Sequence, residues 1–180
     1  MSDAFSERLR DAVRTVPDFP IEGIMFRDIT PLLSMPGMLE EITDRFAEDM
    51  EKMGWFPDVI VGPEARGFIF GPLLAARLGI GFIPIRKPGK LPAETHSLQY
   101  ELEYGSNTLE MHVDSLSTDQ KVVIIDDLLA TGGTIQACGD LCNMSGAQVL
   151  GALFVIELIG LGAREKLNPM PIHALLDFPA

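Results

Sequence analysis

The chain has 180 residues, 47% of them apolar, and a formal net charge of −12. This length fits one domain with a sizeable core, and the acidity argues against a nucleic-acid partner, whose phosphates require a basic face. No apolar stretch is long enough to span a bilayer and the opening Met1–Arg10 is polar, so we expect a cytoplasmic protein with no signal peptide and no membrane partner.

Residues 3–15 are predicted as a first helix on the stripe Phe5, Leu9, Ala12 and Val13, ended by Pro17 and Pro20. Residues 36–53 read as a second helix with Leu39, Ile42, Phe46 and Met50 on one face and Pro36 in its first turn. Asp58–Val61 is a short strand closed by Gly62-Pro63. Gly67–Leu78 follows as a helix, with Pro72 near its start or kinking it. Gly81–Ile85 is a second core strand. Leu91–Asn107 is polar and reads as a loop or a loosely held hairpin, and Thr108–Val113 alternates like an edge strand.

Lys121–Ile125 is the central strand and Thr134–Met144 its helix; Gln148–Val155 and Ile172–Leu175 are further strands. Strands alternating with helices predict an α/β fold: a Rossmann-like open, mainly parallel sheet flanked by helices. Cys138 and Cys142, four residues apart, share one face of the helix after the central strand and read as packing residues.

The chemistry concentrates in Val122–Thr134. The apolar run Val122–Ile125 reads as a buried parallel strand, with Asp126 and Asp127 where it ends. In an open α/β sheet, ligands bind at the carboxyl ends of strands. The turn Ala130-Thr131-Gly132-Gly133-Thr134 can wrap backbone N–H groups and two hydroxyls around a phosphate, with a helix N-terminus behind it. The aspartates repel phosphate and are suited to accept hydrogen bonds from a vicinal diol. A phosphate cradle beside a diol reader describes a ribose 5-phosphate. The string is neither a Walker A loop nor a dinucleotide fingerprint.

Two further strand ends carry cations. Glu64-Ala65-Arg66-Gly67 follows one strand and Arg86-Lys87-Pro88-Gly89-Lys90 the next, so these loops hold four of the 14 Lys and Arg. Such a cluster would neutralise a pyrophosphate, with arginine offering bidentate contacts.

The string around Asp126 and Asp127 resembles the signature of the type I phosphoribosyltransferases. Further blocks resemble the adenine-using branch of that family: Phe19-Pro20 with Gly23–Leu33, Glu64–Pro72, Ile85–Pro92 and Tyr100–Gly105, in the family's order over roughly residues 15–170. The resemblance implies transfer of ribose 5-phosphate from phosphoribosyl pyrophosphate to adenine. It implies that Ala130, Thr131, Gly132, Gly133 and Thr134 hold the 5-phosphate, and that Asp126 and Asp127 hold the ribose hydroxyls. Glu64, Ala65 and Arg66 would hold pyrophosphate, on a turn that in the family often carries a non-proline cis peptide. Arg86, Lys87 and Lys90 would join them, some reaching a neighbouring subunit's site, which implies a homodimer.

The same resemblance assigns adenine to Met25, Phe26 and Arg27, with Phe26 stacking on the ring and the backbones of Met25 and Arg27 reading its polar edge. It makes residues 1–35 a small base-binding hood and 91–104 a flexible lid, with Glu103 and Tyr104 closing over the site. Glu103, Arg66 and Tyr104 are the expected catalytic residues, and Glu103 is the candidate general base. The expected cofactor is Mg²⁺, held by substrate oxygens and water rather than by protein ligands. His96 lies in the lid, His112 and His173 read as structural, and Trp55 as a packing anchor. Two alternatives stand beside this reading. One is a phosphoribosyltransferase for xanthine or hypoxanthine, which only Gly23–Leu33 would distinguish. The other is a non-catalytic regulator that senses phosphoribosyl pyrophosphate, which would require a basic DNA-binding segment.

Overall fold

The computed structural model describes residues 4–101 and 106–180. Its centre is a five-stranded sheet of β3 (Val59–Pro63), β4 (Gly81–Ile85), β7 (Lys121–Leu129), β8 (Gln148–Ile159) and β9 (Ile172–Pro179), in the order β4-β3-β7-β8-β9. Every neighbouring pair in it is parallel. The α/β expectation is met, and the strands run longer than the sequence suggested. β7 continues through Asp126 and Asp127 to Leu129, β8 to Ile159 and β9 to Pro179. The carboxylates therefore belong to the strand, and its alternation sends them to opposite faces.

Those faces are packed differently. Val123 and Ile125 join Ile60, Phe70, Leu74 and Phe46 in the core under α3 (Met38–Met53) and α4 (Gly67–Leu78). Val122 and Ile124 join Val61, Ile135, Cys138 and Cys142 under α5 (Gly133–Met144). Both cysteines are free and buried, as expected of packing residues, and burial pushes the Cys142 thiol up to about 12. Trp55 packs against the first core, and its ring leaves no room for a side chain at Gly151. α4 leaves β3 towards β4 and α5 leaves β7 towards β8, so the connections diverge between adjacent strands β3 and β7. That divergence is a topological switch point, where such sheets open a crevice.

The N-terminal segment departs from the expected long helix. α1 (Ala4–Asp11) stops early, and Arg14–Pro17 forms β1, which pairs antiparallel with β2 (Met25–Asp28). Ala12 and Val13 extended the apolar stripe because they are buried, not because they are helical. Pro17 is tolerated at the end of this two-stranded edge. A short helix, α2 (Thr30–Ser34), follows. Pro36 precedes α3 rather than lying in its first turn: Gly37, at φ 82°, caps the helix.

The 91–107 region contains the hairpin alternative. β5 (Thr95–Glu101) pairs antiparallel with β6 (Ser106–His112) in register Thr95↔His112 to Glu101↔Ser106. β6 therefore belongs to the hairpin rather than to the edge of the main sheet, to which a bridge between Arg86 and Glu110 ties it. α6 (Ala163–Leu167) connects β8 to β9. No helix among the described residues is long and apolar enough to cross a membrane.

Candidate functional site

Two cavities meet at the carboxyl ends of β3 and β7, and Arg66 lines both. The first lies under the β1–β2 pair and encloses about 460 Å³ between Val16, Phe19, Phe26, Arg27, Asp28, Ile29, Thr30, Leu33, Arg66 and Ile69. Phe26 meets Phe19 edge to face at 5.1 Å, which leaves an aromatic surface suited to a flat ring. β1–β2 is a two-stranded sheet, so the outer edge of β2 keeps alternate backbone donors and acceptors free for a ligand's polar rim. Met25 sits on that strand but not among the lining residues.

Arg27 was expected to contribute its backbone, and its side chain is committed elsewhere. It is 8% exposed, donates to Thr15 Oγ1 at 2.6 Å and to the Pro179 carbonyl at 3.0 Å, and lies 4.7 Å over the Phe178 ring. This clamp fixes the cavity's roof strand to the end of β9. Phe19, Leu33 and Ile69 were missed as lining residues, because only the fold brings them to Phe26.

The second cavity is polar, about 340 Å³, and lined by Glu64, Ala65, Arg66, Lys87, Tyr100, Asn107, Thr108, Leu109, Asp126 and Thr134. The Glu64–Ala65 peptide is cis, as the resemblance implies. Gly67 begins α4 directly behind that turn, and a Cβ there would sit 2.8 Å from both the Ile125 carbonyl oxygen and Pro63 Cδ. The turn can be this close to β7 only because residue 67 is glycine.

Glu64 is an acceptor for the basic loop rather than a free carboxylate. Its Oε2 receives the Lys87 amide at 3.2 Å and Arg86 Nε at 3.3 Å. The Lys87 amide, then Arg86, hold its carboxyl below the usual range. Arg86 also donates to the Lys90 carbonyl at 3.1 Å, and Gly89 N–H to Glu110 Oε2 at 3.0 Å, so the loop is braced from inside. Lys87 faces the cavity; Arg86 and Lys90 brace its edge.

At the end of β7, Ala130 and Thr131 form the turn. Gly132, at φ 83°, caps α5, which begins at Gly133 and brings Thr134 to the cavity wall. The α5 N-terminus thus offers unpaired amides and a positive dipole end beside Lys87 and Arg66. Asp126 faces this cavity. Asp127 is 1% exposed on the other face of β7, with Arg66 Nε 3.1 Å from its Oδ2. That contact is an ion pair without hydrogen-bond alignment, and Oδ2 finds no hydrogen-bond partner among the described residues. Burial, and for Asp126 also the neighbouring Asp127 charge, pushes both carboxyls up, Asp126 to about 8; Arg66 opposes the shift at both.

The hairpin supplies Tyr100, Asn107, Thr108 and Leu109, none of which sequence reasoning had placed at the site. Leu98 and Tyr100, two residues apart, pack one β5 face on the α5 core, an alternation visible in the sequence but overshadowed by the polar residues between. His96, His112 and His173 lie outside both cavities; His173 Nε2 is 3.0 Å from Asp49 Oδ2. Glu103 and Tyr104 lie outside the described residues. Among those described, no cluster of three His, Cys, Asp or Glu is placed to hold a metal.

The arrangement can hold a flat heterocycle in one cavity and a phosphorylated, anionic group in the other, with Arg66 between them. Comparisons with known proteins agree. Residues 28–166 match the phosphoribosyl transferase domain. The chain is 52% identical to the adenine phosphoribosyltransferase of Rippkaea orientalis over 170 residues, covering 94% of this chain and 99% of that protein. The crystal structure of the Thermoanaerobacter pseudethanolicus adenine phosphoribosyltransferase superposes with a TM-score of 0.92 at 48% identity, covering 96% of this chain and 99% of that one. The Saccharomyces cerevisiae enzyme, complexed with an imino-altritol bisphosphate and adenine, gives 0.92 at 42% identity over 96% and 99% of the two chains.

Proposed function

The chain belongs to the adenine phosphoribosyltransferase family, and from that premise we propose how its residues divide the reaction. The activity is a pentosyl transfer of purine salvage: phosphoribosyl pyrophosphate and adenine give AMP and pyrophosphate. The observation that carries the assignment of parts is Arg66, which lines the flat-ring pocket and the anion cleft alike. A base in the first and a phosphosugar in the second bring their reacting atoms together beside it.

Phe26 stacks on adenine, and the free edge of β2 at Met25 and Arg27 reads the amino-bearing rim. The Ala130–Thr134 turn and the α5 N-terminus hold the 5-phosphate. Asp126 accepts from the ribose hydroxyls, with Asp127 behind it holding Arg66. Ala65, Arg66 and Lys87 receive pyrophosphate, while Glu64, Arg86 and Lys90 keep that loop in place.

The adenine N9 lone pair forms the bond to the anomeric carbon as the bond from that carbon to the pyrophosphate oxygen breaks. The leaving electrons go to pyrophosphate, where Arg66 and Lys87 stabilise the growing charge. The N9 proton leaves to Glu103, directly or through water, and Tyr104 closes with it over the site. A closed site excludes water, which would otherwise intercept the oxocarbenium-like sugar.

Mg²⁺ fits this chemistry as an ion carried by the substrate: among the described residues the cleft carries only two carboxylates, Glu64, which is taken up by the basic loop, and Asp126, whose Oδ1 accepts the Asp127 amide, so substrate oxygens and water would supply most of the hard ligands such an ion takes. When bound it would neutralise pyrophosphate charge. We infer a cytoplasmic homodimer, in line with the family resemblance, in which part of the Arg86–Lys90 loop reaches a neighbouring subunit's site. Turnover of phosphoribosyl pyrophosphate against a panel of free bases tests the assignment.

A further inference from the structure

We propose that Tyr100 is a positioning residue for the 5-phosphate, acting through the hydroxyl of Thr134. The proposal rests on the reading of the Ala130–Thr134 turn as the phosphate cradle. Tyr100 Oη and Thr134 Oγ1 are 3.1 Å apart, and both side chains line the polar cleft. The tyrosine ring is fixed independently of that bond, because Leu98 and Tyr100 pack together against the core beneath α5.

Each hydroxyl has one proton to give. A phosphate is an acceptor, so when Thr134 gives its one proton to it, the 3.1 Å contact with Tyr100 persists only with Tyr100 as the donor and Thr134 as the acceptor. A phenol is also the stronger donor of the two. With phosphate present the order runs Tyr100 to Thr134 to phosphate oxygen, and each bond polarises the next. Without Tyr100 the Thr134 hydroxyl is free to turn towards its own helix backbone, as threonines near helix starts do.

The arrangement also links two parts of the site. Tyr100 is on β5, three residues before Glu103 in the chain, so the strand that leads to the proposed base is tied by a side chain to the element that reads the phosphate. Phosphate occupancy and hairpin placement then support each other.

The test uses the full chain and two anions measured separately by calorimetry: ribose 5-phosphate, which carries the 5-phosphate, and pyrophosphate, which does not need it. Tyr100→Phe keeps the ring and its packing and removes only the hydroxyl. The expected result is ribose 5-phosphate bound roughly 3- to 10-fold more weakly, the loss of one hydrogen bond, with pyrophosphate affinity changed less than about twofold and an unchanged melting temperature. In the Thr134→Val background, Tyr100→Phe is expected to add nothing, since the chain of bonds is already broken. Unchanged ribose 5-phosphate affinity, equal losses for both anions, or additive effects in the double variant each overturn the proposal. If wild type binds ribose 5-phosphate with the expected dependence on Tyr100 yet fails to turn over phosphoribosyl pyrophosphate, the positioning role stands and the enzymatic reading falls. If wild type binds neither anion, both fall.

Discussion

Arg66 Nε lies 3.1 Å from Asp127 Oδ2, so the turn after β3 is held by a carboxylate on the adjacent strand β7. The side chain that lines both cavities is therefore fixed from beneath by one that is almost wholly buried. Asp127→Asn removes the charge that balances Arg66 while keeping the shape. The expected result is a fall in kcat/KM of roughly 10- to 100-fold through a displaced Arg66, because a misplacement of about 1 Å beside the reacting atoms can cost about 10²-fold, felt with respect to both adenine and phosphoribosyl pyrophosphate. Asp126→Asn should act mainly through KM for phosphoribosyl pyrophosphate. Steady-state kinetics with each substrate varied separates the two; wild-type behaviour in Asp127→Asn removes its role.

The raised carboxyl of Asp126 makes stability depend on pH. Its folded value, up to about 8, lies above the ordinary 3.8, so the folded state binds the proton more tightly than the unfolded chain. The corresponding stabilisation is complete below the unfolded value, declines as pH rises, and is lost once pH passes through the folded value. Melting temperatures across pH 5 to 9 should fall less steeply in Asp126→Asn than in wild type. Parallel curves would show that the pair does not titrate in this window.

Little of this division of labour was visible in the chain alone. Val122–Ile125 announced a buried strand, and Asp126, Asp127 and Thr134 announced a phosphosugar site. The run of two carboxylates looked like the strand's end, however. Only the packing of Val123 and Ile125 on one face and Val122 and Ile124 on the other shows that the aspartates part company. The first strand of the hairpin is legible only as polar sequence, because Leu98 and Tyr100 are the β5 residues that pack on the core, whereas Leu109 and Met111 make the second strand readable by alternation. β1 was hidden by Ala12 and Val13, whose burial continues the helical stripe of α1 past the point where the helix ends.

Phe26 supplies an aromatic wall of the cavity proposed to take adenine. Phe26→Ala should raise KM for adenine about 5- to 100-fold, as expected for one lost stacking surface of about 1–3 kcal/mol, and leave the affinity for pyrophosphate alone. Phe178→Ala, which removes the ring beneath Arg27, should shift the same constant in the same direction by a smaller factor, because it loosens the roof strand without touching the base. An equal rise in both substrates' KM values for Phe26→Ala would place the residue outside the base pocket.

Glu103→Gln should lower kcat by about 10²- to 10⁴-fold, the usual share of a general base, while both KM values move far less. A selective loss in kcat marks an interaction made in the transition state. Turnover at the wild-type rate across the pH range would assign the N9 proton to water or to a substrate phosphate oxygen instead.

The central claim is that this chain joins the 5-phosphoribosyl group to adenine at the meeting of two cavities. The most direct measurement is the initial rate of AMP formation from phosphoribosyl pyrophosphate and adenine with Mg²⁺, beside matched reactions with hypoxanthine, guanine and xanthine. The other bases carry a carbonyl where adenine carries its amino group, and a mismatched buried polar edge costs up to about 10⁴- to 10⁵-fold. Pyrophosphate release should be rapid with adenine and slower by orders of magnitude with the other three; comparable rates with hypoxanthine or xanthine, or no turnover with any base, would contradict the adenine assignment.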